Sequence, residues 1–314
     1  MSRDIAEREM LEVYTFDSNK DDWITIPHAD ATNNTPAPSV LRVLTWNVDF
    51  MAGREEERMK CALDYIQSSV FECANKEAPK PCVVLLQEVV ADVIPVILTH
   101  DWVRAHFKVT PISNEDWPYP QYGNITLISR NVDVLSASRL VFKNSIMGRF
   151  ALIVDVRLAH EHFAEVLGNE LNSAGPRDAT IRIANVHLES LPLGAEARPQ
   201  QLRRVADELR EPGICGGLVC GDMNAIGESD KKIPQDVGLN DAFDGNEDDE
   251  NGYTWGYQPV CQFAPGRLDK VLYTSREGLN VQGPQRVGIG LKTARGTWVS
   301  DHYGLVTSVT ISEE

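Results

Sequence analysis

The apolar positions change rhythm along the chain, and each change marks an element. Residues 41–46, Leu-Arg-Val-Leu-Thr-Trp, alternate as a half-buried strand does and stop at Asn47. Residues 83–86, Val-Val-Leu-Leu, form a short buried run ending at Gln87-Glu88, and Ile125-Thr-Leu-Ile128 follows Gly123. Between the first two runs, Met59, Leu63, Ile66 and Val70 recur at helical spacing behind the charged segment Arg54-Glu-Glu-Glu-Arg58. Leu202, Val205 and Leu209 repeat that spacing in a helix expected to start near Pro199 and to stop by Pro212-Gly213. Residues 150–158 and 181–188 read as two strands joined by a polar insert, 160–179, expected to be a surface loop; further strands fall at 218–220, 268–273 and 304–311. Strands and helices in this order, without strict βαβ repetition, favour an α/β domain in which two sheets pack face to face with helices outside. No repeat of fixed period, P-loop or GxGxxG is present.

The first forty residues show little periodicity and end in the polar, proline-containing stretch 31–39. Residues 1–40 are therefore expected to be an N-terminal extension and linker, with one domain over 41–314. The longest apolar candidate, 83–98, is broken by Gln87, Glu88, Asp92 and Pro95, short of the roughly eighteen residues a membrane helix needs. The charged start lacks a signal-like apolar region, so an intracellular protein, nuclear or cytoplasmic and not secreted, is expected. The six cysteines form no CxxC pair and are expected to stay reduced as packing residues.

A net charge of −16 argues at first against a polyanionic partner. The acids are unevenly placed, however: residues 1–40 carry a net −5 and residues 226–251 a net −7. Once five acids assigned below to a site are also set aside, the remainder stands near +1, which leaves room for a local phosphate-facing groove.

The chemistry shows in where each strand meets its polar residues. Asn47 and Asp49 follow one strand, Glu88 a second, His187 and Glu189 close a third, and Asp222 and Asn224 follow a fourth, whereas Asp269 and Asp301-His302 open strands. If the last two strands run antiparallel to the others, all of these side chains reach one edge. Carboxylates, amides and imidazoles gathered there would repel one another without a cation, and oxygen donors suit a hard divalent ion, Mg²⁺ or Mn²⁺. Such a set suggests phosphoryl transfer to water, with the cation polarising a phosphoryl oxygen, an acid positioning or deprotonating the water, and N–H donors meeting the growing charge.

The strings Thr45-Trp-Asn-Val-Asp49, Gln87-Glu-Val89, Asn185-Val-His-Leu188, Gly221-Asp-Met-Asn224 and Ser300-Asp-His302 resemble the ordered signature of the endonuclease/exonuclease/phosphatase superfamily, over about residues 41–311. The resemblance implies a four-layered α/β sandwich, two packed mixed β-sheets flanked by helices. Within the superfamily, His187-Leu-Glu-Ser190, Tyr253-Thr-Trp255, Arg267-Leu-Asp269, Ser300-Asp-His-Tyr-Gly-Leu305 and the segment before Arg149 are similar to the tyrosyl-DNA phosphodiesterase 2 branch. It implies Glu88 as principal metal ligand with Asn47 and Asp49, and Asp301 near the metal. Asp222 would activate water, Asn224 would hold the water or the phosphate, and His302, held by Asp269, would stabilise pentacoordinate phosphorus. His187 would be a phosphate-side donor, with Trp255, Arg149 and Ser190 on the substrate side. The implied substrate is a single-stranded 5′ DNA end carrying a tyrosyl adduct, handled by a monomer with no membrane partner.

Blander readings stand beside these. Asn47, Asp222 and Asn224 are residue types that suit turns, His187 could be a satisfied core histidine, and Trp255 could simply be core. The acidic run 241–250 lacks EF-hand order and reads as a solvated loop. Phe50 stands where the superfamily commonly has glycine, which could narrow the site entrance. Two other functions compete with the diesterase: a phosphatase or pyrophosphatase acting on a small metabolite or nucleotide, and an inactive scaffold.

Overall fold

The computed structural model describes residues 5–27, 36–74, 76–161, 178–274 and 278–312. Its strands in chain order are β1 (Ala6–Met10), β2 (Val13–Asp17), β3 (Asp22–Ile26), β4 (Val40–Asn47), β5 (Cys82–Val90), β6 (Phe107–Thr110), β7 (Tyr122–Ser129) and β8 (Val134–Phe142), then β9 (Phe150–Glu161), β10 (Asp178–His187), β11 (Gly216–Asp222), β12 (Leu239–Asp241), β13 (Asp269–Thr274), β14 (Leu279–Val281), β15 (Gln285–Val287) and β16 (Gly304–Ser312). The helices are α1 (Glu55–Tyr65), α2 (Ile94–Thr99), α3 (Asp101–His106), α4 (Ala197–Glu208) and α5 (Ile233–Asp236).

One sheet runs β1-β8-β9-β10-β11-β13-β12 and the other β3-β2-β6-β7-β5-β4-β16, with β14 and β15 added to β16. A short parallel pairing of Ile311 and Ser312 with His160 and Glu161 joins them. Their inner faces share one core, in which Val43, Leu85 and Ile125 of one sheet meet Leu152, Ile183 and Leu218 of the other; Met59, Leu63, Ile97 and Trp102 of α1–α3 extend it outward. A second core packs Leu202, Val205 and Leu209 against Ala151, Val186 and Val219 on the opposite outer face. These four layers are the expected sandwich, and burial of fifty-odd apolar side chains holds them. Among the described residues no helix is long and apolar enough to cross a membrane, and all six cysteines are free.

Three expectations need correction. Folding does not wait for Leu41: β1 pairs with β8 and β2 with β6, so the first strands close one edge of each sheet. The edge strand β1, Ala-Glu-Arg-Glu-Met, carries no apolar alternation to announce it. The run 83–86 does not end before Glu88 but continues to Val90 through a bulge whose register against β7 shifts between Leu86 and Val89. The acidic run is only partly solvated: Glu247 accepts from Lys270 Nζ at 2.6 Å, and Asp241 pairs with Arg267. The middle of the polar insert, 162–177, and residues 28–35 of the expected linker lie outside the described residues.

Candidate active site

Register brings the polar strand ends together. In the parallel pair β10–β11, His187 lies opposite Asp222, and in the antiparallel pair β11–β13 Asp222 lies opposite Asp269, so three chemical side chains stand abreast. Gly221 makes this possible, because at φ +139° a Cβ there would collide with the Val186 carbonyl oxygen. On the other sheet, Asn47 ends β4 beside Gln87, and the lead-in to antiparallel β16 is tied to it: Ser300 Oγ donates to the Asn47 carbonyl at 2.6 Å, and His302 N donates to Ser300 Oγ at 3.0 Å. The site thus sits where corresponding edges of the two sheets meet.

Local backbone then aims the groups. Asp49 (φ 57°), Glu88 (φ 58°) and Asn224 (φ 48°) all occupy the left-handed region, which costs a non-glycine residue about 1–3 kcal/mol each. At Glu88 the bulge turns the carboxylate out of the ladder, so that Oε2 accepts from Phe50 N at 2.9 Å and Oε1 from Asn47 Nδ2 at 3.1 Å. Asn47 Nδ2 also donates to Asp222 Oδ2 at 3.0 Å, while its oxygen accepts from Asp49 N. As placed, Asn47 bridges two carboxylates with its amide nitrogen. Asp49 accepts from Met51 and Ala52 N, and Asp301 Oδ2 accepts from Trp255 Nε1 at 2.8 Å.

The two histidines differ in charge. His302 Nδ1 lies 2.7 Å from Asp269 Oδ2; burial opposes its charging, but Asp269, aided by Asp222 and Asp301, holds the imidazole well above its usual range. It is an imidazolium at neutral pH, and its Nε2 stands 3.9 Å from both Asp222 Oδ2 and Asp301 Oδ1. His187 is pushed well below its usual range by burial and by the nearby Arg149 charge. Arg149, a donor only, lies 2.8 Å from His187 Nδ1, so Nδ1 accepts and the proton sits on Nε2, which points at Asp222 Oδ2 (3.4 Å) and Glu88 Oε1 (3.6 Å).

Glu88, His187 and Asp222 present atoms close enough to one another to hold an ion. With its proton on Nε2, His187 acts there as a donor, leaving Glu88 and Asp222 as the ligand pair, and of the expected metal set only Glu88 is in this group. The donor set fits a hard cation. Burial pushes Glu88 up, and Asp222 is pushed up to about 7 by burial, with the Asp269 and Glu88 charges adding and His302 opposing. Uncompensated negative charge between buried oxygens is what Mg²⁺ or Mn²⁺ would offset.

Of the expected substrate-side residues, Ser190 Oγ donates to Asn224 Oδ1 at 2.9 Å, while Asn224 Nδ2 donates to the Leu188 carbonyl at 3.0 Å. Arg149 is buried with its guanidinium 5.4 Å from the Tyr122 ring, and Phe50 stacks on that ring at 4.2 Å. Trp255 is half-buried on Asp301.

Sequence reasoning missed the supports. Arg58, at 3% exposure, donates to the carbonyls of Val48, Asp49, Ala52, Gly53 and Val299 and so holds the loop carrying Asp49 and Phe50. Glu189 accepts from Ile146 and Met147 N, drawing the β8–β9 loop, and with it Arg149, to the end of β10. Gln87 donates to Asn185 Oδ1 at 2.7 Å across the inter-sheet core beneath the site. Gln87, Asn185 and Glu189 stand within the quoted strings without a supporting role assigned to them, and nothing in the spacing marks Arg58.

With this geometry in hand, likeness to known proteins is informative. The worm tyrosyl-DNA phosphodiesterase 2 structure (TDP2 from C. elegans) superposes with TM-score 0.63 at 21% identity, covering 86% of this chain and 75% of that one. TDP2 from D. rerio, complexed with a single-strand DNA product, gives 0.64 at 18%, covering 87% and 99%. The human Nocturnin catalytic domain with bound sulfate gives 0.56 at 19%, covering 88% and 96%. At such identities these likenesses establish the fold; no curated protein matches in sequence. A family model described as Endonuclease/Exonuclease/phosphatase matches residues 44–302, from within β4 to His302, and the chain therefore belongs to that family.

Proposed function

We propose that this protein is a metal-dependent phosphodiesterase that hydrolyses the bond between a tyrosine oxygen and a 5′ phosphate of DNA. The observation that carries the reading is the pairing, around the buried carboxylates Glu88 and Asp222, of one cationic and one neutral imidazole, each with an Nε2–H turned inward. A Mg²⁺ or Mn²⁺ ion would be held by Glu88 and Asp222, with the Asp49 and Asp301 carboxylates adding negative charge, and would supply Lewis-acid polarisation of a phosphoryl oxygen.

The residues supply the remainder. Asp222 takes a proton from water as the water oxygen bonds to phosphorus. The phosphorus–oxygen bond to the tyrosine breaks, and its electron pair leaves on the phenolate. The N–H groups of His302 and His187, with the Asn224 amide, meet the charge that grows on the phosphoryl oxygens. Phenol has a pKa of about 10, so its departure needs little acid assistance. The half-buried Phe50–Tyr122 stack offers an aromatic surface suited to an aryl leaving group. The likeness to the zebrafish enzyme with its DNA product supports the same substrate.

A second reading, a phosphatase or pyrophosphatase for a small metabolite or nucleotide, is favoured by the net charge of −16. One panel separates the two: a 5′-tyrosyl oligonucleotide, an abasic duplex, a phosphoinositide and a nucleotide, each with and without Mg²⁺. Turnover of the tyrosyl substrate only with Mg²⁺ is expected. Release of phosphate from nucleotide without tyrosyl cleavage would install the second reading, and inertness toward all four would leave a scaffold.

A further inference from the structure

The loops that frame the site are apolar on their exposed faces. Met51 is 80% exposed, Ile146 75%, Leu193 79% and Phe263 63%, with Leu191 and Ile226 about half exposed. Four of them sit on loops anchored beside the site. Met51 N donates to Asp49, Ile146 N to Glu189 and Ile226 N to the Asn224 carbonyl, and Phe263 packs its ring 6.4 Å from Trp255, which holds Asp301.

The cations on the same loops are already engaged. Arg198 is paired with Asp230 at 2.7 Å, Lys231 with Glu228 and Asp248, and Arg267 with Asp241 and Glu247. Arg54 and Arg295 both face Glu57, Lys143 faces Glu7, and Lys292 covers the Trp298 ring at 3.9 Å. Arg149 is buried against His187. Among the described residues of these loops, Lys232 is the one exposed cation without an acid or ring against it.

We propose that this site reads one phosphodiester and the two apolar-faced groups attached to it, and does not follow a phosphate backbone, so that its substrates are short diesters down to a single nucleoside bearing an aryl ester. The inference rests on the phosphodiesterase reading above and narrows it. A protein that tracks a strand does so with unpaired Lys and Arg, each phosphate contact steepening the salt dependence of single-strand binding by about 0.7 in log–log slope. Here most of the rim cations face an acid of the protein, and the acidic segment 226–251, net −7, flanks the loop that carries Ile226. A lone nucleoside ester brings one diester charge to the buried donors and lays a base and an aryl ring, both apolar-faced, on the rim.

The test is a 5′-tyrosyl series of about 1, 4 and 16 nucleotides, with p-nitrophenyl thymidine 5′-phosphate beside it, assayed with Mg²⁺ from about 25 to about 250 mM salt. Values of kcat/KM within about threefold along the series, with a slope shallower than about −1, are expected. A rise of about tenfold or more with length, or a slope of about −3 or steeper, overturns the proposal. Ile226→Arg sets an unpaired cation beside Asn224 and should steepen the slope by about 0.7 while favouring the longest substrate; a variant identical to wild type in both measures shows that the rim is off the substrate path and also overturns it. A tyrosyl series inert throughout, with salt-insensitive cleavage of the nitrophenyl diester, rejects the tyrosyl reading and supports the short-diester one. Inertness toward every compound rejects both.

Discussion

Two clusters of ionisable groups, one at each end of β10, are built on opposite rules. Toward the start of β10, Arg182 donates to both Asp155 oxygens at 2.7 and 2.8 Å and to Glu211 at 2.6 Å, while Arg8 and Arg204 take Glu208. Three guanidinium groups meet three carboxylates, and the charge closes. At the other end of the same strand, five acids, Asp49, Glu88, Asp222, Asp269 and Asp301, face one imidazolium, a guanidinium turned to His187 and another spent on backbone carbonyls. Unequal balance separates a cluster that holds the fold from one left ready to act, because uncompensated charge in the interior persists only where something outside the chain completes it.

Breaking the unbalanced cluster should cost chemistry and leave the fold standing. Glu88→Gln is expected to abolish Mg²⁺-dependent turnover, a fall beyond about 10⁴-fold if loss of the cation also removes the general-base contribution, while the metal-free melting temperature holds or rises by about 2–4 °C as buried repulsion is relieved. Turnover near wild type at saturating Mg²⁺ would remove Glu88 as the principal ligand. Asp222→Asn keeps the shape but takes no proton, and should slow turnover by about 10² to 10⁴ while KM changes little; equal losses in both would make Asp222 a positioning group.

Breaking the balanced cluster should do the reverse. Arg182→Met strands Asp155 in the interior and is expected to cost about 3–5 kcal/mol in denaturant unfolding, with kcat per folded molecule unchanged. A variant that folds well but turns over slowly would show that the two ends of β10 are not independent.

The smallest effect sharpens the contrast through pH. His302 is held above its usual 6.5, so its pairing with Asp269 stabilises fully below that value and is lost as pH climbs through the raised folded value. Asp222, raised to about 7 from 3.8, favours its protonated form in the fold and so costs stability increasingly as pH rises across that interval. Both signs agree: without metal, melting temperature should fall by a few degrees between about pH 6 and pH 9, and Mg²⁺ should flatten the fall. Glu211, lowered by Arg182 and Arg8 against its desolvation, weakens instead as pH drops below its usual 4.5. A metal-free profile flat above pH 6 would contradict the site half of the comparison.

The catalytic candidates were legible because strand-ending Asn47, His187, Asp222 and Asn224 break apolar runs at positions that sequence alone exposes. Direction was not legible. That Glu88 leaves its strand sideways depends on a left-handed residue at a bulge, and nothing in Leu-Leu-Gln-Glu-Val-Val distinguishes a bulge from a strand end. The charge of each histidine depends on partners distant in sequence, Arg149 for His187 and Asp269 for His302. Arg58 belongs to a charged run that reads as solvent-facing, yet it is the most deeply placed guanidinium beneath the site loop. The sandwich followed from the apolar rhythm of its central strands, whereas β1 and β2, five residues each, pair with neighbours far along the chain.

That dependence sets an order of events. Ala6 pairs with Phe142 and Tyr14 with Val109, so β1 and β2 have no seat until β8 and β6 are in place. Closing such long loops comes late in folding. Until it happens, β8 and β6 stand as open edges able to recruit a strand from another molecule. The amino-terminal segment thus behaves as a closing seam, and the window for self-association is the interval before it is sewn. Pulse-labelling hydrogen exchange during refolding should find the amides of 6–10 and 13–17 protected after those of β4, β5, β10 and β11; simultaneous protection would place the seam in the nucleus instead.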